Sequence, residues 1–222
     1  MLSISNTPKR LARWAGISIV IALGVFGLAG RWTDPWLWAY VGVFSAAGLY
    51  AALVLADDLA RERFTPPEAG ADRDWLKVAR LFALLQVIAG ALDVRWQLTN
   101  VPSSVRVVAL VVMIVTVALV FYAMSVNRFF SAVIRIQRDR GHQVIDQGPY
   151  GVIRHPGYAG MIPSVPASAL VMGSWLGFAL ALVYSLLMLR RVWFEDQFLR
   201  ENLAGYANYT QRVRHRLVPW VW

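Results

Sequence analysis

The chain has 222 residues, of which 58% are apolar and only 16% charged, with no cysteine and a net charge of +9. Soluble domains average about 25% charged residues, so this composition belongs in lipid. It excludes a disordered chain, a collagen-like or coiled-coil rod, a disulfide scaffold, a cysteine nucleophile and any thiolate metal or iron–sulfur site. Twenty of the 22 basic residues are arginines, and most sit at the ends of apolar runs. That is the pattern of cytoplasmic membrane flanks rather than of nucleic-acid binding.

The first apolar run, Leu11 to Gly30, follows Lys9, Arg10 and Arg13. A signal peptide's apolar core is only ~7–15 residues long. This run is about 20, enough for ~30 Å of helix, and reads as an anchor. A second run, Pro35 to Ala56, follows the short Arg31–Asp34 turn, and Pro35 suits a first helical position, where no N–H is needed. Together they predict a tight transmembrane hairpin. Asp57 to Asp74, with Arg61, Glu62, Arg63, Pro66, Pro67 and Gly70, mixes both charges with helix breakers. It reads as a solvated loop with room for one short surface helix. The third run is Trp75 to Leu92 and the fourth Ser103 to Met124, joined by a short Asp93–Pro102 loop whose Trp96 suits a membrane interface.

From Ser125 to Pro156 the chain is polar and basic, and Gly157 to Leu189 is then apolar for 33 residues. As one helix that stretch would run about 50 Å, far beyond a ~30 Å hydrocarbon core. Pro163, Pro166 and the Gly173-Ser174 pair divide it into two helices joined at Gly173-Ser174. The hairpin also returns the basic tail after Leu189 to the side of the 125–156 segment, the cytoplasmic side if the N-terminal arginines are inside. The expected fold is therefore all-α: an integral membrane bundle of four spanning helices (residues 1–124), then a C-terminal region (125–222) built on the 157–189 hairpin. Both termini are expected to be cytoplasmic.

Two segments flank that hairpin and can meet at the membrane surface. The first, residues 140–158, carries His142, Val144, Ile145, Gly148-Pro149-Tyr150 and Arg154-His155-Pro156-Gly157-Tyr158; the second carries Arg191, Glu195 and Asp196. Gly148-Pro149 and Pro156-Gly157 are turn signals, and Pro156 can open the next helix. Backbone N–H groups at a helix start can hold a carboxylate or phosphate. Arg191 and Glu195, four apart, share a helix face, and arginine offers a planar fork for a carboxylate. Each feature also has a plainer reading. His155 can satisfy a backbone carbonyl, Arg191–Glu195 can be a surface pair contributing ~0.3–0.5 kcal/mol, and Tyr206 and Tyr209 can be interface anchors. The three histidines lack metal-ligand spacing, and no dinucleotide fingerprint, phosphate-binding loop or nucleophile elbow is present.

Gly148-Pro149-Tyr150, Arg154-His155-Pro156 and Tyr158, followed by Arg191, Glu195, Asp196 and Leu199, resemble the isoprenylcysteine carboxyl methyltransferase family, relatives of the phospholipid N-methyltransferases. The resemblance covers roughly residues 125–220, with weaker similarity to bacterial members at Glu62-Arg63 and Asn127. Asp196 stands where glutamate is common. Sterol reductases carry an R-H-x-N-Y string instead, and Pro156-Gly157 favours the methyltransferase branch.

The resemblance implies an S-adenosylmethionine-dependent carboxyl methyltransferase in a bacterial inner membrane, acting on a lipophilic or lipidated acceptor that enters from the bilayer. It implies a cofactor site of His142, Val144, Ile145, Gly148, Tyr150, Arg154, His155, Pro156, Tyr158 and Asp196. Arg191 would orient the acceptor, Glu195 would hold Arg191, and Asn127 would contact substrate. The competing classes are a phospholipid or small-thiol methyltransferase, a non-catalytic membrane protein, and a lipid double-bond reductase using a nicotinamide cofactor.

Overall fold

The computed structural model describes residues 7–64 and 70–222, so Pro66 and Pro67 of the expected loop lie outside the described residues. The chain forms α1 (Thr7–Ala29), α2 (Pro35–Val54), α3 (Asp57–Phe64), α4 (Arg73–Trp96), α5 (Ser103–Val126), α6 (Pro156–Met172), α7 (Trp175–Asn202) and α8 (Tyr206–Arg212), with no strand among the described residues. Five of these, α1, α2, α4, α5 and α7, are long and apolar enough to cross a membrane. The all-α membrane bundle with a C-terminal hairpin is thus what the chain forms, joined at Gly173-Ser174 as its breakers require.

The caps follow the sequence. Pro35 opens α2 while the Asp34 carboxylate accepts the Trp36 N–H at 2.8 Å. Several arginines close helix ends by donating to carbonyls left free there. Arg10 donates to Ala51 O (2.7 Å) and Leu55 O (2.6 Å) at the end of α2. Arg106 donates to Val171 O (3.1 Å) and Met172 O (3.0 Å) at the end of α6. These guanidiniums therefore satisfy helix-end carbonyls.

α6, at 17 residues, spans only about 25 Å, yet it is the centre of the bundle, packed against α2, α4, α5 and α7. Close approach to α5 requires Gly160: a Cβ there would lie 2.5 Å from Thr116 O and 2.6 Å from Val120 Cγ2. The two prolines inside α6 free carbonyls that lipid cannot solvate. Pro166 cannot donate to Ile162 O, and Ser185 Oγ of α7 donates to it instead at 2.8 Å.

Two boundaries differ from the sequence reading. α4 continues past Leu92 to Trp96, so Asp93 is a buried helical residue rather than part of a loop. Its carboxylate accepts from Thr99 N (2.7 Å), Thr99 Oγ1 (2.5 Å) and Ser174 Oγ (2.5 Å), which pins the α4–α5 turn to the α6–α7 turn. α7 runs unbroken for 28 residues, because no glycine or proline after Gly177 interrupts it. Arg191 and Glu195 accordingly ride on a rigid helix rooted in the bundle. Both basic segments and the starts of α1 and α4 gather at the end of the bundle opposite Asp93.

Candidate active site

At that end, α5 stops at Val126 and Asn127 turns the chain: its Oδ1 accepts the Phe129 N–H at 2.8 Å. The 127–155 segment crosses the end of the bundle, and Pro156 at the first helical position redirects it into α6. A pocket opens between this segment, α3, α6, α7 and α8. Asn127, His142, Val144, Ile145, Tyr150, Arg154, His155, Tyr158, Arg191 and Glu195 all line it. Gly148, Pro156 and Asp196 do not. Gly148 makes a turn at φ +56°, with the Tyr122 hydroxyl 3.1 Å from where a Cβ would stand. Pro156 is buried as the start of α6.

Asp196 is fully buried and accepts from Arg154 Nε (2.7 Å), Arg154 Nη2 (3.1 Å), Arg216 Nε (3.0 Å) and the Tyr206 hydroxyl (3.1 Å). The His155 ring lies 3.3 Å from the same carboxylate. Arg154 spends its remaining fork on Val213 O (2.9 Å) and Arg214 O (2.7 Å). This network ties α7 to the chain's last residues. The Arg154 and His155 backbone amides are also taken, donating to His215 O and Arg216 O at 2.9 Å each. These two N–H groups, just before the start of α6, are therefore spent on the tail.

The expected Arg191–Glu195 partnership is replaced by another. Arg191 is buried and donates from Nε to Asp72 Oδ2 (2.6 Å) and from Nη2 to Ala132 O (2.7 Å). Glu195 instead accepts from the Tyr158 hydroxyl at 2.5 Å, and the Arg191 guanidinium lies 5.6 Å from the Tyr158 ring centre. Asp72 precedes α4, where its sequence position marks it as a helix cap, but its side chain makes no cap bond. It reaches across to Arg191 and to the Ile134 N–H at 3.1 Å. No local pattern pairs residues 119 positions apart.

His142 stacks against Phe129 with ring centres 4.6 Å apart, and its Nδ1 accepts the Gln137 N–H at 3.3 Å. Burial, then the charges of Arg135 and Arg140, push its pKa down to about 4, so the ring is a neutral acceptor at physiological pH. Tyr206 and Tyr209 are buried rather than interfacial, and burial raises both phenols above their ordinary range. Tyr209 donates to Tyr150 O at 2.6 Å. With Leu199 and Leu203 they form an apolar wall against Val144.

The comparisons with known proteins fall on this region. The phospholipid methyltransferase family model matches residues 105–205, which include the 140–158 segment and the Arg191 and Glu195 positions. Protein-S-isoprenylcysteine O-methyltransferase B of Arabidopsis thaliana is 30% identical over 91 residues, covering 40% of this chain and 46% of that protein. A probable protein-S-isoprenylcysteine O-methyltransferase of Oryza sativa subsp. indica is 32% identical over 99 residues, covering 44% and 51%. The chain thus spans about half the length of the curated relatives it matches. A structure of the eukaryotic intramembrane Ras methyltransferase, isoprenylcysteine carboxyl methyltransferase, superposes with a TM-score of 0.59 at 16% identity, covering 96% of this chain and 77% of that one. The shared fold therefore extends into the N-terminal helices, beyond the region matched in sequence.

Proposed function

We propose that this chain is a membrane methyltransferase that uses S-adenosylmethionine to esterify the carboxylate of a lipophilic, isoprenylcysteine-like acceptor. One observation carries the reading: the Arg154–Tyr158 segment and the Arg191–Glu195 turn of α7 close on one pocket, joined directly by the Tyr158–Glu195 hydrogen bond. The family match over residues 105–205 supports it. The arginines clustered at this end support a cytoplasmic placement of the site.

The pocket's chemistry fits the cofactor. Val144, Leu199, Leu203 and Tyr206 offer an apolar and aromatic wall for a flat adenine. Glu195, which accepts the Tyr158 phenol, offers negative charge for a cationic sulfonium or ammonium. When bound, S-adenosylmethionine supplies a methyl group activated on a sulfonium sulfur. A carboxylate is already nucleophilic at neutral pH, so the chain has no strong base to supply. Its task is alignment, and well-oriented reactants gain effective molarities of ~10⁵ M or more. Arg191, fixed by Asp72, would present its remaining N–H groups to the acceptor, while Tyr158 and Glu195 would bound the donor side. Oxygen–carbon bond formation and carbon–sulfur cleavage then give a methyl ester and a neutral thioether with no proton to relocate.

Calorimetric titration of the protein in lipid or mild detergent tests the cofactor assignment. Binding is expected in the micromolar range, and no binding at millimolar S-adenosylmethionine would overturn it. Incubation with methyl-labelled cofactor and a membrane extract tests the acceptor: a base-labile ester is expected. A base-stable methylamine would favour the phospholipid reading drawn from the family's own description. That acceptor would have to shed a proton to Glu195 or His155.

A further inference from the structure

The arginines around the pocket are not equivalent. Arg135 is held by Glu62 (2.8 Å) and Asp139 (3.0 Å), Arg154 by Asp196 (2.7 Å) and Arg191 by Asp72 (2.6 Å). Arg63, the fourth on the pocket wall, has no carboxylate and no hydrogen-bond partner among the described residues. It lies instead over an aromatic face, the Phe130 ring, 5.7 Å from the guanidinium carbon. Burial and then the nearby Arg191 charge lower its pKa from the ordinary value, so an anion placed here would relieve an uncompensated cation.

Its position is prepared. The preceding residue, Glu62, takes Arg135 on Nε (3.1 Å) and Nη2 (2.8 Å) and Ser131 Oγ (2.7 Å), which ties α3 to the segment crossing the end of the bundle. Phe130 sits where a Cβ at Gly157 would clash at 2.5 Å, so the start of α6 supports the ring beneath Arg63. Leu55 and Leu59 at the α2–α3 junction pack against Val120, Met124 and Met161 on the bundle side. The Arg63 part of the pocket is thus next to the apolar helices, while Leu203, Tyr206 and Tyr209 line it from the end of α7 and from α8.

We propose that Arg63 is the carboxylate anchor of this pocket, gripping the acid of a lipid-tailed acceptor whose chain lies along the bundle while Arg191 flanks the same group. The assignment rests on the methyltransferase reading above and names a recognition residue from outside the matched region 105–205. A planar guanidinium suits a carboxylate by two parallel hydrogen bonds. It also selects acid over ester: methylation removes the charge Arg63 holds and so favours product release.

The test uses an N-acetyl-S-prenylcysteine acid, its methyl ester and S-adenosylhomocysteine as calorimetric probes, with unfolding temperature as a control. In Arg63→Ala, acid affinity is expected to fall about 10- to 100-fold. Ester affinity, S-adenosylhomocysteine affinity and unfolding temperature should stay near wild type, and Arg63→Lys should recover part of the acid affinity. Acid affinity within twofold of wild type in Arg63→Ala would overturn the anchor. Loss of S-adenosylhomocysteine affinity with acid binding intact would assign Arg63 to the donor's carboxylate and overturn the acceptor role. Wild-type protein that binds the donor but neither binds nor methylates any prenylcysteine acid would remove the acceptor reading, and the Arg63 assignment with it.

Discussion

Asp72→Asn separates the partner the structure gives Arg191 from the one its helix spacing implies. The Arg191–Asp72 pair is buried, with side-chain exposures of 7% and 3%, and Nε–Oδ2 measures 2.6 Å. Removing one member of such a pair leaves a charge in low dielectric and costs about 3–5 kcal/mol. Asparagine keeps an acceptor oxygen, so the loss should fall nearer one charged hydrogen bond, about 1.5–3 kcal/mol. Glu195 lies one turn from Arg191 but bonds Tyr158, so it acts on the guanidinium through charge alone, without a hydrogen bond. Reversible unfolding in mixed micelles, run as two double-mutant cycles with Arg191→Gln, measures both couplings. The Asp72 cycle should exceed the Glu195 cycle by at least about 1 kcal/mol. Turnover in Asp72→Asn should fall at least tenfold, because the guanidinium loses its fixed position. Equal couplings, or a larger one to Glu195, would refute the account of how Arg191 is held.

Gly160→Ala should lower thermal stability by about 1–3 kcal/mol by overpacking the α5–α6 contact, where backbone rather than a flexible side chain lies 2.5 Å away; an unchanged unfolding temperature would contradict that packing. Asp93→Ala should destabilise by about 2–4 kcal/mol through three lost buried hydrogen bonds. Turnover per folded molecule should stay near wild type, since the pocket lies at the other end of α4, roughly 30 Å away. The His142 pKa is lowered, so its neutral ring contributes stability above pH 6.5 that is lost as the unfolded chain gains a proton the fold refuses, between pH 6.5 and about 4. The difference in unfolding temperature between wild type and His142→Gln should therefore change across that window and be flat above it. Tyr158→Phe removes the hydrogen bond that holds Glu195 and is expected to raise the S-adenosylmethionine dissociation constant several-fold, read by calorimetry.

Length, composition and hydropathy were enough to determine the class of this protein, its apolar segments and the break at Gly173-Ser174. These depend on local chemistry: about 20 apolar residues must span a bilayer, and Gly-Ser cannot continue a helix between two such runs. The segment from His142 to Tyr158 and the pair Arg191 and Glu195 were legible for the same reason, as polar motifs on either side of a doubled-back run. Which charge meets which was decided only in three dimensions. On paper helix spacing offers Arg191 only Glu195, and no local pattern points to Asp72. The packing of α4 against α7 brings the distant aspartate to Nε and leaves the glutamate to Tyr158. Asp196 matches a motif position, yet it is enclosed by Arg154, Arg216 and Tyr206, because a buried carboxylate must gather cations and donors wherever the chain supplies them. Arg63 sits in a polar stretch whose spacing sets it apart from none of its neighbours. The resemblance marks it only weakly, with Glu62, and its lack of an acid shows only once every other guanidinium on the pocket wall has found one.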